Sequence, residues 1–122
     1  MTNANKRKGT QFETDVLGWF RGRLPKAMTE RLALAGANDE GDLVLMVAGK
    51  PYVFELKATA RLDLPEFWRQ ATVEAQNYAR ARGLDEVPPS YVIVKRRNAS
   101  IEDAWVIQTL DQWANIHDDP QA

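Results

Sequence analysis

The sequence has no cysteine and one histidine, His117, among its 122 residues. Disulfides and thiolate zinc sites are thereby excluded, and so is a metal site built from several histidines of one chain. A metal held by this chain must rest largely on carboxylate and carbonyl oxygens, donors that suit Mg²⁺, Mn²⁺ or Ca²⁺. No apolar run approaches the roughly 20 residues of a membrane-spanning helix. The opening stretch MTNANKRKGTQ lacks the apolar core of a secretion signal. The expectation is a cytoplasmic protein with no membrane partner. Net charge is slight, −1 at pH 7, and supplies no overall pull toward nucleic acid.

The arrangement of charge says more than its amount. Lys6, Arg7 and Lys8, then Arg21, Arg23 and Lys26, then Lys95, Arg96 and Arg97 are basic clusters, whereas residues 117–122 are acidic. A basic face on a nearly neutral protein is compatible with phosphate contacts; the alternative is plain solvated charge. The length fits a single domain, 1–122, with residues 1–8 expected as a basic flexible arm and 117–122 as an acidic tail. Phe12, Val16, Leu17, Trp19 and Phe20 recur at helical spacing between Thr10 and Arg23, and Pro25 ends the run. A short strand is expected within 29–36, ahead of the polar loop GANDEG. Strands at 43–48 and 52–58 follow, around a turn at Gly49–Lys50. A helix over 64–82 has Pro65 in its first turn and Gly83 as its stop. SYVIVK at 90–95 reads as a buried central strand and AWVIQ at 104–108 as another. Thr109 with Gln112 makes a capping box for a last helix through Ile116. The order α-β-β-β-α-β-β-α predicts an α/β fold, one mixed sheet flanked by helices. Trp19, Trp68, Trp105 and Trp113 are expected mainly in the core.

GDLVLMVAGKPYVFELKAT, residues 41–59, gathers charge at one end of an apolar hairpin. A turn at Gly49–Lys50 sets Asp42 opposite Lys57 and Val44 opposite Glu55, all on one face, with Tyr52, Phe54 and Leu56 on the other. Asp42 and Glu55 are then diagonal neighbours, close enough to share a divalent ion. Two such carboxylates repel unless a cation or a proton intervenes, and an ion flanked by Lys57 could act on a phosphate. The alternative is a surface ion pair of Asp42 with Lys57 that does nothing further. On the first helix Glu13 falls about 100° from Phe12, inside the apolar arc. A carboxylate there is costly unless a cationic side chain or an ion pairs with it. Gln70, Glu74 and Tyr78 form an i, i+4, i+8 row at the edge of the second helix's apolar stripe. That row is either a solvated border or a source of hydrogen bonds to the site.

Glu13 on a helix, Asp42 opening a strand and ELK at Glu55–Lys57 together resemble the PD-(D/E)xK nuclease superfamily. KRKGTQFETDV, GDLVL and FELKAT look most like the archaeal-type Holliday junction resolvases, and the resemblance runs from about Lys6 to Trp113. Gly41 stands where the superfamily usually has proline, a replacement expected to matter little, and Asp39 and Glu40 are rivals for the aspartate role. Glu74 and Tyr78 resemble the (Q/E)xxxY element of exonuclease-type members. The resemblance implies a restriction-endonuclease-like fold and hydrolysis of DNA phosphodiester bonds with Mg²⁺ or Mn²⁺. Glu13, Asp42 and Glu55 would be the metal ligands, with the Leu56 carbonyl a further candidate, and Lys57 would position the attacking water. Gln70, Glu74 and Tyr78 would be accessory, while Lys6, Arg7, Lys8, Lys95, Arg96 and Arg97 would hold DNA phosphates. It further implies a homodimer acting on branched DNA, four-way junctions above all. Alternatives with the same fold are a restriction-like, repair or end-processing nuclease, or a non-catalytic nucleic-acid-binding module.

Overall fold

The computed structural model describes residues 3–32 and 41–118, with side chains from Arg7 onward. Helix α1 (Asn3–Arg23) is followed by strands β1 (Met28–Arg31), β2 (Leu43–Val47) and β3 (Lys50–Lys57), helix α2 (Leu64–Arg82), strands β4 (Ser90–Val94) and β5 (Trp105–Ile107), and helix α3 (Leu110–Ile116). The strands form one sheet in the order β1-β2-β3-β4-β5. All neighbours are antiparallel except β3 and β4. A parallel neighbour needs a crossover, and α2 supplies it. The expected element order therefore holds, with a single 3₁₀ turn (Ile101–Asp103) added before β5.

Two expectations need correction, and a third falls partly outside the described residues. Helix α1 begins at Asn3 rather than near Thr10, so Arg7 and Lys8 ride on a helix and not on a flexible arm. The segment has no proline, and its lysines and arginine favour helix enough to outweigh Gly9 and the two asparagines. Strand β1 stops at Arg31; its expected continuation, the GANDEG loop, Asp39 and Glu40 lie outside the described residues, as does the side chain of Lys6. The β2–β3 register is offset by two residues. Ala48 (φ 52) and Gly49 (φ 80) both occupy the left-handed region, as a two-residue type I′ turn requires, and Val47 pairs with Lys50. Val44 thus faces Val53 instead of Glu55, which draws Asp42 level with Glu55 and away from Lys57. An offset of two leaves every side chain on its expected face; an offset of one would have inverted the sheet.

The two faces of the sheet bury separate cores. Against α1, Phe12, Val16 and Phe20 pack on Leu43, Leu45, Phe54, Leu56, Tyr91 and Ile93. Against α2, Ala75 and Tyr78 pack on Val44 and Val53, and Phe67 and Ala71 on Val92 and Val94. Val53, Glu55 and Lys57 accordingly point toward α2. The tryptophans depart from expectation: Trp19, Trp105 and Trp113 are 36%, 47% and 53% exposed, while Trp68 packs beside the Phe67 cluster. Strand β5 is a short edge strand, and α3 contributes no buried residue, so neither provides a covered pocket for an indole.

Candidate active site

The site is organised where β2 and β3 part. The Asp42 N–H donates to the Phe54 carbonyl at 3.0 Å, and its carbonyl accepts from the Leu32 N–H at 2.8 Å. Its side-chain Oδ2 accepts the Leu56 N–H at 2.7 Å. The carboxylate thus serves a backbone donor beyond the start of β2 and is fixed by it. Gly41 makes this divergence possible. Its φ is +101°, and a Cβ there would lie 2.8 Å from Val53 Cγ1 and 3.7 Å from Glu74 Oε2. Proline, locked near φ −65°, cannot occupy such a position, so this glycine is a structural requirement and not an indifferent replacement. Gly41→Ala is expected to cost about 2 kcal/mol or more, from the positive φ and the clash together. Urea unfolding measures this, and a variant as stable as the wild type would show that the backbone relaxes there.

Glu55 is 7% exposed and Glu74 is 6% exposed, facing each other from β3 and α2. Glu55 Oε2 receives no hydrogen bond among the described residues, and Oε1 lies 3.7 Å from Lys57 Nζ. Burial pushes the Glu55 carboxyl up to about 8; Glu74 adds to the rise, and Asp42 and the Lys57 ammonium offset it only in part. Glu13 approaches from α1. Its carboxyl is raised by burial and then by Asp42, against the pull of Arg31, whose Nε lies 3.7 Å from Glu13 Oε2. Arg31 is itself held by Thr14 Oγ1, which accepts its Nη2 donor at 2.7 Å.

Glu13, Asp42, Glu55 and Glu74 therefore form a chain of neighbouring carboxylates around the end of β3. They meet in pairs: among the described residues no three acidic or histidine side chains surround a common point suited to an ion. The chemistry of the donors nonetheless fits Mg²⁺ or Mn²⁺. All are hard oxygens, and one is a buried carboxylate oxygen with no hydrogen-bond donor, a group that stays charged only beside a cation.

A cleft of about 360 Å³ opens beside this chain, lined by Glu55, Lys57, Arg69, Gln70, Val73, Glu74 and Asn77. Gln70 and Glu74 line this cleft, whereas Tyr78 packs in the core with Val44 and Val53, its ring covered by Arg82 at 3.8 Å. Eight residues along a helix drift by about 80°, enough to turn the third member of that row away. Arg69, Val73 and Asn77, a second i, i+4, i+8 row displaced by one residue, had the same periodic signal and complete the cleft wall. Glu66 holds Arg69 by two hydrogen bonds, of 2.8 and 2.6 Å.

One basic cluster lies at the same end. The Lys95 N–H donates to the Lys57 carbonyl at 2.9 Å, so the turn carrying Lys95, Arg96 and Arg97 adjoins the site. Phe12 and Asp15 of α1 share a small cavity with Lys95 and Arg96. Exposed Arg7 and Lys8 lie one to two turns further along that helix.

No family model and no curated protein matches the sequence. Among solved structures, the chain is similar to Hjc, a Holliday junction resolvase of the archaeal hyperthermophile Archaeoglobus fulgidus. The TM-score is 0.51 and the identity 22%, over 82% of this chain and 88% of that one. Together with the five-stranded mixed sheet and its flanking helices, this likeness shows that the chain has a restriction-endonuclease-like fold.

Proposed function

We propose that the protein is a metal-dependent DNA endonuclease that cuts branched DNA, four-way junctions foremost. The observation that carries this reading is the run of carboxylates Glu13, Asp42, Glu55 and Glu74, with an ammonium 3.7 Å from Glu55, on a resolvase-like fold. Asp42 and Glu55 would hold Mg²⁺ or Mn²⁺, with the Leu56 carbonyl as a further ligand and Glu13 joining only if its side chain leaves Arg31. The bound ion would supply electrophilic activation of the scissile phosphate. Lys57 orients the attacking water and donates toward the charge that develops on the phosphate. Glu55 would have to lose its proton to solvent to serve as a ligand, and Glu74 faces it from α2. Lys6, Arg7, Lys8, Lys95, Arg96 and Arg97 hold flanking phosphates, contacts that are salt-sensitive and blind to sequence.

Resolving a junction takes two coordinated cuts and hence two sites, so this reading includes a homodimer. The test is cleavage of four-way junctions, flaps and linear duplex with Mg²⁺ and with EDTA. Symmetric nicks across the junction are expected with Mg²⁺ alone, and Glu55→Ala should still bind the junction but leave it uncut. An intact protein that binds DNA and never cuts it would be a binding module. A second reading draws on Glu74, which faces Glu55 across the cleft as the accessory glutamate of an end-processing nuclease would. Progressive shortening from DNA ends would select it.

A further inference from the structure

We infer that Trp105, backed by Arg96, is a stacking platform for an unstacked nucleobase beside the cut. The inference rests on the nuclease reading and adds a subsite to it. Lys57 is paired with Val94, and Val94 with Trp105. The three residues form one row across β3, β4 and β5, on the α2 side of the sheet. Adjacent strands are about 4.8 Å apart, which sets the Cα atoms of Trp105 and Lys57 roughly 10 Å apart. Trp105 therefore stands at the catalytic end of the sheet, on its open edge, and is 47% exposed.

The Arg96 guanidinium carbon lies 5.2 Å from the Trp105 ring centroid, and its Nη1 donates to the Asp103 carbonyl at 3.4 Å. The cation is thus tethered to the indole. Lys95 and Arg97 flank it, exposed, and Lys95 is bonded to the backbone of Lys57. The nearby anions are Glu102 and Asp103 of the 3₁₀ turn and Asp15 of α1, which shares a small cavity with Lys95 and Arg96, so the cations of this turn are offset by carboxylates and the indole, rather than net charge, marks the subsite. An exposed indole, a guanidinium on its π system and phosphate-binding cations in one stretch are the components of single-strand recognition.

The chemistry also selects among DNA forms. A base inside a continuous duplex is stacked on both faces and offers no surface to an indole. A base at a branch point, flap or gap offers one. Trp105 therefore favours branched over continuous DNA without reading sequence, and it does so within one nucleotide or so of the scissile phosphate.

The test is equilibrium binding in EDTA, where no cutting intervenes. The DNAs are a four-way junction with 2-aminopurine at the branch and a continuous duplex of equal length. Trp105→Leu keeps apolar volume on the strand and removes the π face; it should weaken junction binding about tenfold and leave duplex binding unchanged. Trp105→Phe should restore most of the affinity, and Arg96→Gln should give an intermediate loss. The wild type should quench 2-aminopurine on binding, and Trp105→Leu should not. Wild-type affinity and quenching in Trp105→Leu, or equal losses on both DNAs, would overturn the platform while junction cutting in Mg²⁺ left the nuclease reading standing. A wild type that bound neither DNA would remove both.

Discussion

Lys57→Ala is expected to slow junction cleavage in Mg²⁺ by about 10²–10⁴-fold, the range for removing a positioned proton-transfer or charge-stabilising group, with junction binding retained. The expectation follows from how firmly the ammonium is held. Lys57 is the last residue of β3, its carbonyl is tied to the Lys95 N–H, and its side chain is 20% exposed. Its Nζ sits 5.1 Å from the Phe67 ring centroid and 3.7 Å from Glu55 Oε1. A cation restrained from two sides loses little entropy on meeting a phosphate, which is what preorganisation requires. Arginine should not restore the rate, because its planar fork is longer and presents its donors in a different geometry. The measurement is single-turnover cleavage at saturating protein. A Lys57→Ala enzyme that cuts at the wild-type rate would remove Lys57 from the chemistry and leave it a partner of Glu55 alone.

What could be read from the sequence was what local periodicity determines. Alternation along 52–57 separated Phe54 and Leu56 from Glu55 and Lys57, and a two-residue offset in register preserved that division because the strand period is two. The helical period likewise put Glu13 inside the apolar arc of α1, where the structure leaves its side chain half-buried. The offset itself was hidden in Ala48, since a positive φ at alanine is uncommon and the Gly49–Lys50 pair looked the better turn. Nothing local in the sequence marks Gly41, because its steric constraint comes from Val53 and Glu74, residues distant in sequence. The meeting of Glu74 with Glu55 and the closeness of Trp105 to Lys57 are equally long-range: both depend on α2 crossing the sheet and on β4 lying between β3 and β5. Hydrophobicity alone places Trp105 and Trp113 inside, but a three-residue edge strand and a helix with no buried residue have no interior to offer.

The meeting of Glu55 with Glu74 leads to the remaining large effect. Glu55→Gln is expected to stabilise the metal-free protein by roughly 2–4 kcal/mol at about pH 8, taking 1.36 kcal/mol per pKa unit, and by little at about pH 4. The ordinary carboxyl value is 4.5, and burial with Glu74 close by raises Glu55 to about 8 in the folded chain. Below the lower value both states are protonated and the group is neutral to stability. Between the two, the unfolded chain releases a proton that the folded chain retains, so the wild type loses stability steadily as pH rises through that window; above it the loss is constant. Glutamine carries no such proton and is spared the repulsion from Glu74, so the gap between variant and wild type should widen with pH and then level off. A divalent ion bound through Glu55 must displace the same proton. Adding Mn²⁺ near neutral pH should therefore release protons and raise the wild-type urea midpoint, while Glu55→Gln gains far less. If the two proteins differ by the same amount at every pH, Glu55 titrates like an exposed carboxyl, and it is not the buried, cation-seeking group on which the metal assignment depends.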